Sequence, residues 1–199
     1  MHRLILASQS VHRRELLENA GYDVVMVPAG IDEPDLTTFP DLEAGLIHIA
    51  MLKARAVLRS GATGLIFAAD TVGCAVGEVF GKASDRKTAR RMLEAISGTV
   101  HEVLTGWCLL RTADQLHAGG LERTTITMRL WTGDELEAYL DSDEWIGKSG
   151  AYGLQLPRDP FVTHVAGSLS NVIGVPLERL RQVLTEFPSL SETGHLPRK

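Results

Sequence analysis

The chain has 199 residues, of which 44% are hydrophobic and 23% are charged, and its formal net charge at pH 7 is −5. This composition is ordinary for a globular protein, and the length allows a sizeable core in one or two lobes. The negative charge argues against a protein that coats nucleic acid or lies on an anionic membrane surface. A small anionic ligand is compatible with it, because a few lysines and arginines can form a local positive cleft.

The cysteines and the amino terminus indicate the compartment. Cys74 and Cys108 lie far apart and form no metal-binding spacing, which predicts a reduced, cytoplasmic protein. The amino-terminal apolar run up to Ala7 is too short for a signal peptide, and no stretch approaches the length of a membrane span. We therefore expect a soluble protein whose partner is neither a nucleic acid nor a membrane, and the sequence allows a homodimer.

The first half of the chain alternates predicted strands with predicted helices. Ser10 is a good N-cap for a helix that Gly21 ends, and Gly61 ends a second, longer helix. The predicted elements are, in order, a strand over 3–7, a helix over 10–20, a strand over 24–27, a loop over 28–40, a helix over 41–60 and a strand that begins at Leu65.

The second half contains longer strands. After a helix capped by Asp85, residues 100–111 and 124–131 are β-branched or aromatic enough for strands. Thr132 and Glu135 form a capping box that opens a short helix. A strand over 161–165 and a helix over 176–184 complete the predicted elements. Strands that first alternate with helices and then form hairpins predict an α/β protein with a mixed sheet.

Asp70 ends an apolar run and is the most informative residue of the chain. The run from Leu65 to Ala69, preceded by Gly64, predicts a buried strand, and we place Asp70 at its carboxyl end. Ligands of open α/β sheets bind at that end of the strands. A predicted hairpin then returns Lys82 towards Asp70, and an acid and an amine at one rim suit a metal-assisted reaction on a phosphate. The alternative is a turn-capping Asp70 and a solvated Lys82.

The polar turn at residues 8–10 predicts an anion site, because free N–H groups and the helix dipole point at it. Arg13 and Arg14 lie in the first helical turn, where cations oppose the dipole and a bound phosphate would compensate them. The alternative is that both arginines pair with Glu15 and Glu18 on the helix surface.

Three further features point towards the same chemistry. Lys53 falls on the apolar stripe of the helix over 41–60, so its amine either reaches water or faces a polar cleft. The acidic loop around Glu33 could bind a cation through oxygen ligands, although such loops are usually solvated. Gln155, in a glycine-bracketed stretch, could read the edge of a nucleobase with its amide, although such stretches are more often plain turns.

These motifs, in this order, resemble the Maf family of nucleoside triphosphate pyrophosphatases from Leu6 to about Leu177. The matching segments are LASQS at 6–10, RRELL at 13–17, Glu33, KARA at 53–56, ADTV at 69–72, GK at 81–82, ML at 92–93, SG at 97–98, HEVLTG at 101–106, GAYGLQ at 150–155, GS at 167–168 and NVIGVPL at 171–177. The implied fold is α/β, with a mixed, strongly twisted sheet flanked by helices and two lobes around a central cleft. Residues 1–187 would form a single domain and 188–199 a flexible tail.

The resemblance implies hydrolysis of a nucleoside triphosphate between the α- and β-phosphates, which gives a monophosphate and pyrophosphate. Asp70 would accept a proton from the attacking water. The residues that would bind the phosphates are Ser8, Arg13, Lys53 and Lys82. Glu33 and Asp70 would hold a divalent metal cation, Mg²⁺ or Mn²⁺.

The positions that match the base-selecting residues of the family are His12, Thr71 and Gln155. The Gln155 motif resembles the subgroup that prefers dTTP and UTP. That subgroup usually has Arg where His12 stands, and the family usually has Pro where Val11 stands. A 7-methyl-GTP or other altered-purine pyrophosphatase is therefore an alternative. A non-catalytic nucleotide-binding regulator of cell division is another, although binding alone would not require a base such as Asp70.

Overall fold

The computed structural model describes residues 3–154 and 159–187. Its strands are β1 (Arg3–Leu6), β2 (Asp23–Met26), β3 (Leu65–Ala75), β4 (Glu78–Phe80), β5 (Val100–Arg111), β6 (His117–Met128) and β7 (Val162–Ala166). Its helices are α1 (Val11–Asn19), α2 (Leu42–Arg59), α3 (Arg86–Ile96), α4 (Gly133–Asp141), α5 (Leu169–Val172) and α6 (Leu177–Glu186). Within these residues no helix is both long and apolar enough to cross a membrane.

The helix starts follow caps that the sequence contains. The side chains of Ser10, Asp41 and Asp85 accept hydrogen bonds from backbone N–H groups in the first turns of α1, α2 and α3. Thr132 and Glu135 form both hydrogen bonds of the capping box at the start of α4. Because a cap involves residues two or three positions apart, these boundaries could be predicted without knowledge of the tertiary structure.

The seven strands form one sheet, in the order β2-β1-β3-β5-β6-β7, with β4 paired to β3. β1 is parallel to both β2 and β3, whereas β3 is antiparallel to β4 and β5. The pairs β5–β6 and β6–β7 are antiparallel as well. The prediction of an α/β fold with a mixed sheet flanked by helices is confirmed.

Helices cover both faces of the sheet. Successive side chains of β3 point to opposite faces, and apolar side chains on each face pack against helices. Ile66 and Ala68 belong to the core under α2, whereas Phe67 and Ala69 belong to the core formed with α1 and α6. A third core, which includes Trp131, joins α3 and α4. The cleft described below is lined by residues of α1 and α2 and also by Ile96 of α3 and residues 146–150 after α4, so it lies between two helix-bearing parts of the fold.

β6 begins at His117, well before the strand that we predicted from residue 124. Gly119 and Gly120 account for the difference, because glycine is unfavourable in an isolated strand. Here a Cβ on Gly120 would lie 3.2 Å from the ring of Trp107, so the glycine allows β6 to pack closely against β5. The sequence analysis also missed α5 and a short 3-10 helix at residues 36–38.

Candidate active site

The site is built around a gap in one edge of β3. β5 pairs with the other edge without interruption from Leu65 to Cys74. On the gapped edge, β1 pairs with residues 65–67 and β4 pairs with residues 73–75. Residues 68–72 have no strand partner on that edge within the described part of the chain, and we call this segment the β3 gap. The prediction that Asp70 ends a strand is wrong, but Asp70 does lie just beyond the end of the parallel neighbour β1.

Side chains take the place of a strand at the β3 gap. Arg13 of α1 donates from Nη1 to the carbonyl oxygen of Ala69 at 2.8 Å and from Nη2 to Thr71 Oγ1 at 2.9 Å. Ser149 Oγ donates to the carbonyl oxygen of Thr71 at 2.7 Å. Because buried carbonyl groups require hydrogen-bond partners, these contacts hold α1 and the loop at Ser149 against β3.

Only one of the two arginines in the first turn of α1 faces the gap. Burial lowers the pKa of Arg13 from its ordinary value, and the negative charges of Asp70 and Glu33 oppose that shift. The guanidinium stays charged, since arginine does not lose its proton in proteins. Arg14 instead lies 3.7 Å from Glu18. The anion-site interpretation therefore concerns Arg13, and the surface-pair alternative describes Arg14.

Lys53 joins the two predicted metal ligands. Its Nζ lies 2.7 Å from Asp70 Oδ1 and 3.0 Å from Glu33 Oε2. Lys53 is only 8% exposed, as its place on the apolar stripe of α2 suggested. Asp70 faces α2 because even-numbered side chains of this part of β3 do so. An ammonium group has three N–H donors, so Lys53 keeps one for a ligand while it contacts both carboxylates.

Ser8, His12 and Lys82 line the same cleft as these charged groups. Lys82 follows β4, and its backbone forms an isolated β-bridge with Ser149. Within residues 3–154 and 159–187, Lys82 makes no ion pair, so its charge is available to a ligand. His12 is exposed, and its Nδ1 lies 3.8 Å from Glu15.

The cleft over the β3 gap has a volume of about 1180 Å³. The charged side chains that line it are Arg13, Lys53, Lys82, Lys148, Glu15, Glu33, Asp35 and Asp70. Exposed apolar residues line it too, among them Val11, Val79 and Ile146. A cleft with both kinds of wall suits a ligand that combines a polyanionic part with a flat, largely apolar part.

Glu33 and Asp70 fit a divalent metal that shares its coordination with a ligand. Both carboxylates contact the same ammonium group, so they lie on the same side of the cleft. The part of the chain that the structure describes contains no group of three or more His, Cys, Asp or Glu side chains placed for a metal. Mg²⁺ is commonly held by one or two carboxylates together with phosphate oxygens and waters, and the pair suits that mode.

The structure adds residues to which the sequence analysis gave no role. Among them His101, Lys148 and Ser149 line the cleft, and Ser149 also donates a hydrogen bond to the backbone of Thr71. Thr105 contacts the Thr71 hydroxyl, and Asn171 accepts a hydrogen bond from Thr105. His101, Thr105 and Asn171 belong to segments that carry the family resemblance, and Lys148 and Ser149 lie just before another, but the spacing of those segments gives no sign that they meet at β3. Gln155, predicted to read the base, lies outside the described residues.

His101 is buried in the wall of the cleft and makes stability depend on pH. Burial lowers its pKa from the ordinary 6.5 to about 4, and its Nδ1 has no hydrogen-bond partner among the described residues. Between pH 4 and pH 6.5 the His101 imidazole is protonated in the unfolded protein but neutral in the folded protein. Acidification therefore favours unfolding. We expect the contribution of His101 to stability to fall by about 3 kcal/mol as the pH drops from 6.5 to 4.

The measurement is urea unfolding of the parent and of His101→Gln at pH 7 and at pH 4.5. The variant should lose less stability on acidification than the parent, because glutamine does not titrate. His164→Gln is the control, since His164 is exposed on β7. An equal pH dependence in the parent and in His101→Gln would contradict the prediction.

The fold and the site define an α/β protein whose cleft combines several cations with a carboxylate. Arg13, Lys53 and Lys82 supply positive charge at the cleft, and Asp70 supplies a group that can accept a proton. These are the elements that hydrolysis of a phosphoric anhydride requires.

The chain belongs to the Maf-like protein family, whose sequence profile matches residues 3–187. It is 41% identical over 184 residues to a protein of Anaeromyxobacter dehalogenans (strain 2CP-C) named dTTP/UTP pyrophosphatase, with 92% of each chain covered. A protein of the same name from Pyrococcus abyssi is 38% identical, with 88% of this chain and 91% of the relative covered. One from Symbiobacterium thermophilum is 37% identical, with 94% and 95% covered.

Proposed function

We propose that this protein is a nucleoside triphosphate pyrophosphatase that hydrolyses dTTP and UTP to the monophosphate and pyrophosphate. The observation that carries the proposal is the contact between Lys53 and Asp70 at the β3 gap, beside Arg13. The Asp70 carboxylate lies close to two cations in a cleft large enough for a nucleotide, which supports a role as proton acceptor. The names of the relatives support the choice of substrate.

The cations of the cleft would bind and orient the triphosphate. Arg13 uses two of its five N–H donors on the β3 gap, and Lys53 has one donor left beside its two carboxylate contacts. Lys82 forms no ion pair in the described part of the chain. Together they neutralise a polyanion and stabilise the charge that develops on the phosphate oxygens in the transition state. Ser8, at the turn before α1, would add a hydroxyl donor.

Asp70 would accept the proton of the water that attacks the α-phosphorus. The contact with Lys53 holds the Asp70 carboxylate in one place, which a general base needs in order to meet its water. Glu33 contacts the same ammonium group as Asp70 and would hold Mg²⁺ or Mn²⁺ together with it. A bound divalent cation would supply positive charge to the phosphate oxygens.

The test is a panel of nucleotides incubated with the protein and Mg²⁺, with pyrophosphate and orthophosphate measured separately. The panel contains dTTP, UTP, CTP, the purine triphosphates and 7-methyl-GTP. We expect pyrophosphate from dTTP and UTP without orthophosphate. Faster release from 7-methyl-GTP would favour the altered-purine alternative, and binding without any release would favour the non-catalytic regulator.

Replacement of Lys82 by Ala is expected to lower kcat/KM for dTTP by about tenfold or more, because it removes from the cleft a cation that forms no ion pair with the described residues. The measurement is kcat/KM for dTTP. Lys87→Ala is the matched control, since Lys87 is an exposed lysine on α3 that is absent from the cleft wall. If both variants hydrolyse dTTP like the parent, Lys82 does not bind phosphate.

Base preference is expected to respond to two residues in opposite directions. His12→Arg should sharpen the preference for dTTP and UTP, because arginine is longer than the exposed histidine and carries a permanent positive charge. Gln155→Ala should blunt it, because loss of the amide removes one donor and one acceptor that could pair with uracil or thymine. The ratio of kcat/KM values for dTTP and 7-methyl-GTP measures both effects.

His164→Arg is the control for the change at residue 12, because it places the same charge on the exposed face of β7. It should leave the ratio at the parental value. A ratio that does not change in Gln155→Ala would show that this amide does not read the base.

A further inference from the structure

Thr71 has the contacts of a residue that positions Arg13. Side chains alternate along β3, so Thr71 faces the opposite side of the sheet from Asp70. Its Oγ1 accepts a hydrogen bond from Arg13 Nη2 at 2.9 Å and lies 3.0 Å from Thr105 Oγ1. Thr105 is completely buried, so this second contact belongs to the interior of the protein.

The direction of these hydrogen bonds follows from an oxygen that can only accept. Thr105 Oγ1 lies 3.2 Å from the backbone carbonyl oxygen of Asn171 and donates its single proton there. Thr71 must therefore donate its own proton to Thr105. The only donor of the Thr71 hydroxyl is then in use, and Arg13 occupies one of its acceptor positions. The Thr71 side chain retains no hydrogen-bond donor for a nucleobase.

Asn171 and Gly174 complete the surroundings of Arg13. The Asn171 Nδ2 donates to the carbonyl oxygen of Val103 at 3.2 Å, and the Gly174 N–H donates to the carbonyl oxygen of Asn171 at 2.8 Å. A Cβ on Gly174 would lie 2.6 Å from Arg13 Nε and 3.0 Å from Thr71 Oγ1. Gly174 also has φ +96°, which glycine adopts without strain.

We infer that Thr71 affects binding of the substrate's phosphate chain through Arg13, as part of a cradle that holds the guanidinium on the β3 gap. The Arg13 cradle consists of Thr71, Thr105, Asn171 and Gly174. A guanidinium has five N–H donors, and two of those of Arg13 are used on β3, so up to three remain for an oxyanion. The inference deepens the proposed function and rests on it: the ligand of the cradled Arg13 is the phosphate chain of the nucleotide.

The probe that separates this role from base recognition is inorganic tripolyphosphate, which has the phosphate chain and no base. Its binding to the parent, to Thr71→Val and to Thr71→Ser is measured by titration calorimetry. We expect Thr71→Val to bind it about tenfold more weakly, because a hydrogen bond to a charged group is lost. Thr71→Ser keeps the hydroxyl and should bind it like the parent. KM for dTTP and for UTP should rise in Thr71→Val by the same factor.

Thr163→Val is the matched control, because Thr163 is exposed on β7 and its hydroxyl bonds to the carbonyl oxygen of Thr127, away from the cleft. It should bind tripolyphosphate like the parent. Gly174→Ala is the second variant: its Cβ would crowd both the Arg13 guanidinium and the Thr71 hydroxyl without removing either group, and it too should weaken binding.

Each result of the titration decides the inference. Parental binding of tripolyphosphate by folded Thr71→Val and Gly174→Ala would overturn it, as would a changed ratio of dTTP to UTP hydrolysis with unchanged tripolyphosphate binding. A parent that does not bind tripolyphosphate would also overturn it. The proposed function is judged separately, by pyrophosphate release from dTTP by the parent protein.

Discussion

Replacement of Asp70 by Asn is expected to lower the turnover of dTTP by at least about 10²-fold, the lower bound for loss of a general base. The amide matches the carboxylate in shape but does not accept a proton from water. Lys53 keeps Glu33 at 3.0 Å, so the buried ammonium group retains a charged partner and the fold should persist. The measurements are pyrophosphate release at saturating substrate and the midpoint of urea unfolding.

Asp32→Asn is the matched control for this experiment. Asp32 is an exposed carboxylate in the same acidic loop as Glu33, and it is not part of the cleft wall. Its variant should release pyrophosphate at the parental rate. If folded Asp70→Asn also releases pyrophosphate at a near-parental rate, another group accepts the proton and the role given to Asp70 is wrong.

Replacement of Gly106 by Ala is expected to give a large loss of stability. A Cβ at this position of β5 would lie 2.3 Å from the carbonyl carbon of Leu46, 2.4 Å from its oxygen and 2.6 Å from the backbone nitrogen of Ile47. These are backbone atoms of α2, so no rotation of a side chain relieves the overlap. Overpacking typically costs about 1–3 kcal/mol, and we expect the upper end or more because an entire helix must move.

The displacement of α2 should also reduce activity, because α2 carries Lys53 and the contact of Lys53 with Asp70 depends on its position. Urea unfolding and dTTP hydrolysis are measured on the same preparation. Gly133→Ala is the control: Gly133 is the first residue of α4, a Cβ there meets nothing within 4 Å, and alanine favours a helix. An unfolding midpoint of Gly106→Ala equal to that of the parent would show that α2 and β5 separate at little cost.

The sequence by itself predicted the features that depend on nearby residues. The caps at Ser10 and Asp85, the capping box of α4 and the place of Lys53 on the buried stripe of α2 agree with the structure. Each follows from a spacing of a few residues, which the helix repeat converts directly into a contact or a face. The family resemblance also indicated the residues that line the cleft, although it assigned their roles by analogy.

The tertiary structure alone decided how those residues meet. Asp70 lies within β3 and not at its end, because β1 and β4 pair with different parts of the same edge and leave the β3 gap between them. Alternation along β3 then sends Asp70 towards Lys53 and Thr71 towards Arg13. Strand partners that are distant in the sequence determine where such a gap falls. No local pattern contains that information, so the gap and the contacts around it could be seen only in the folded chain.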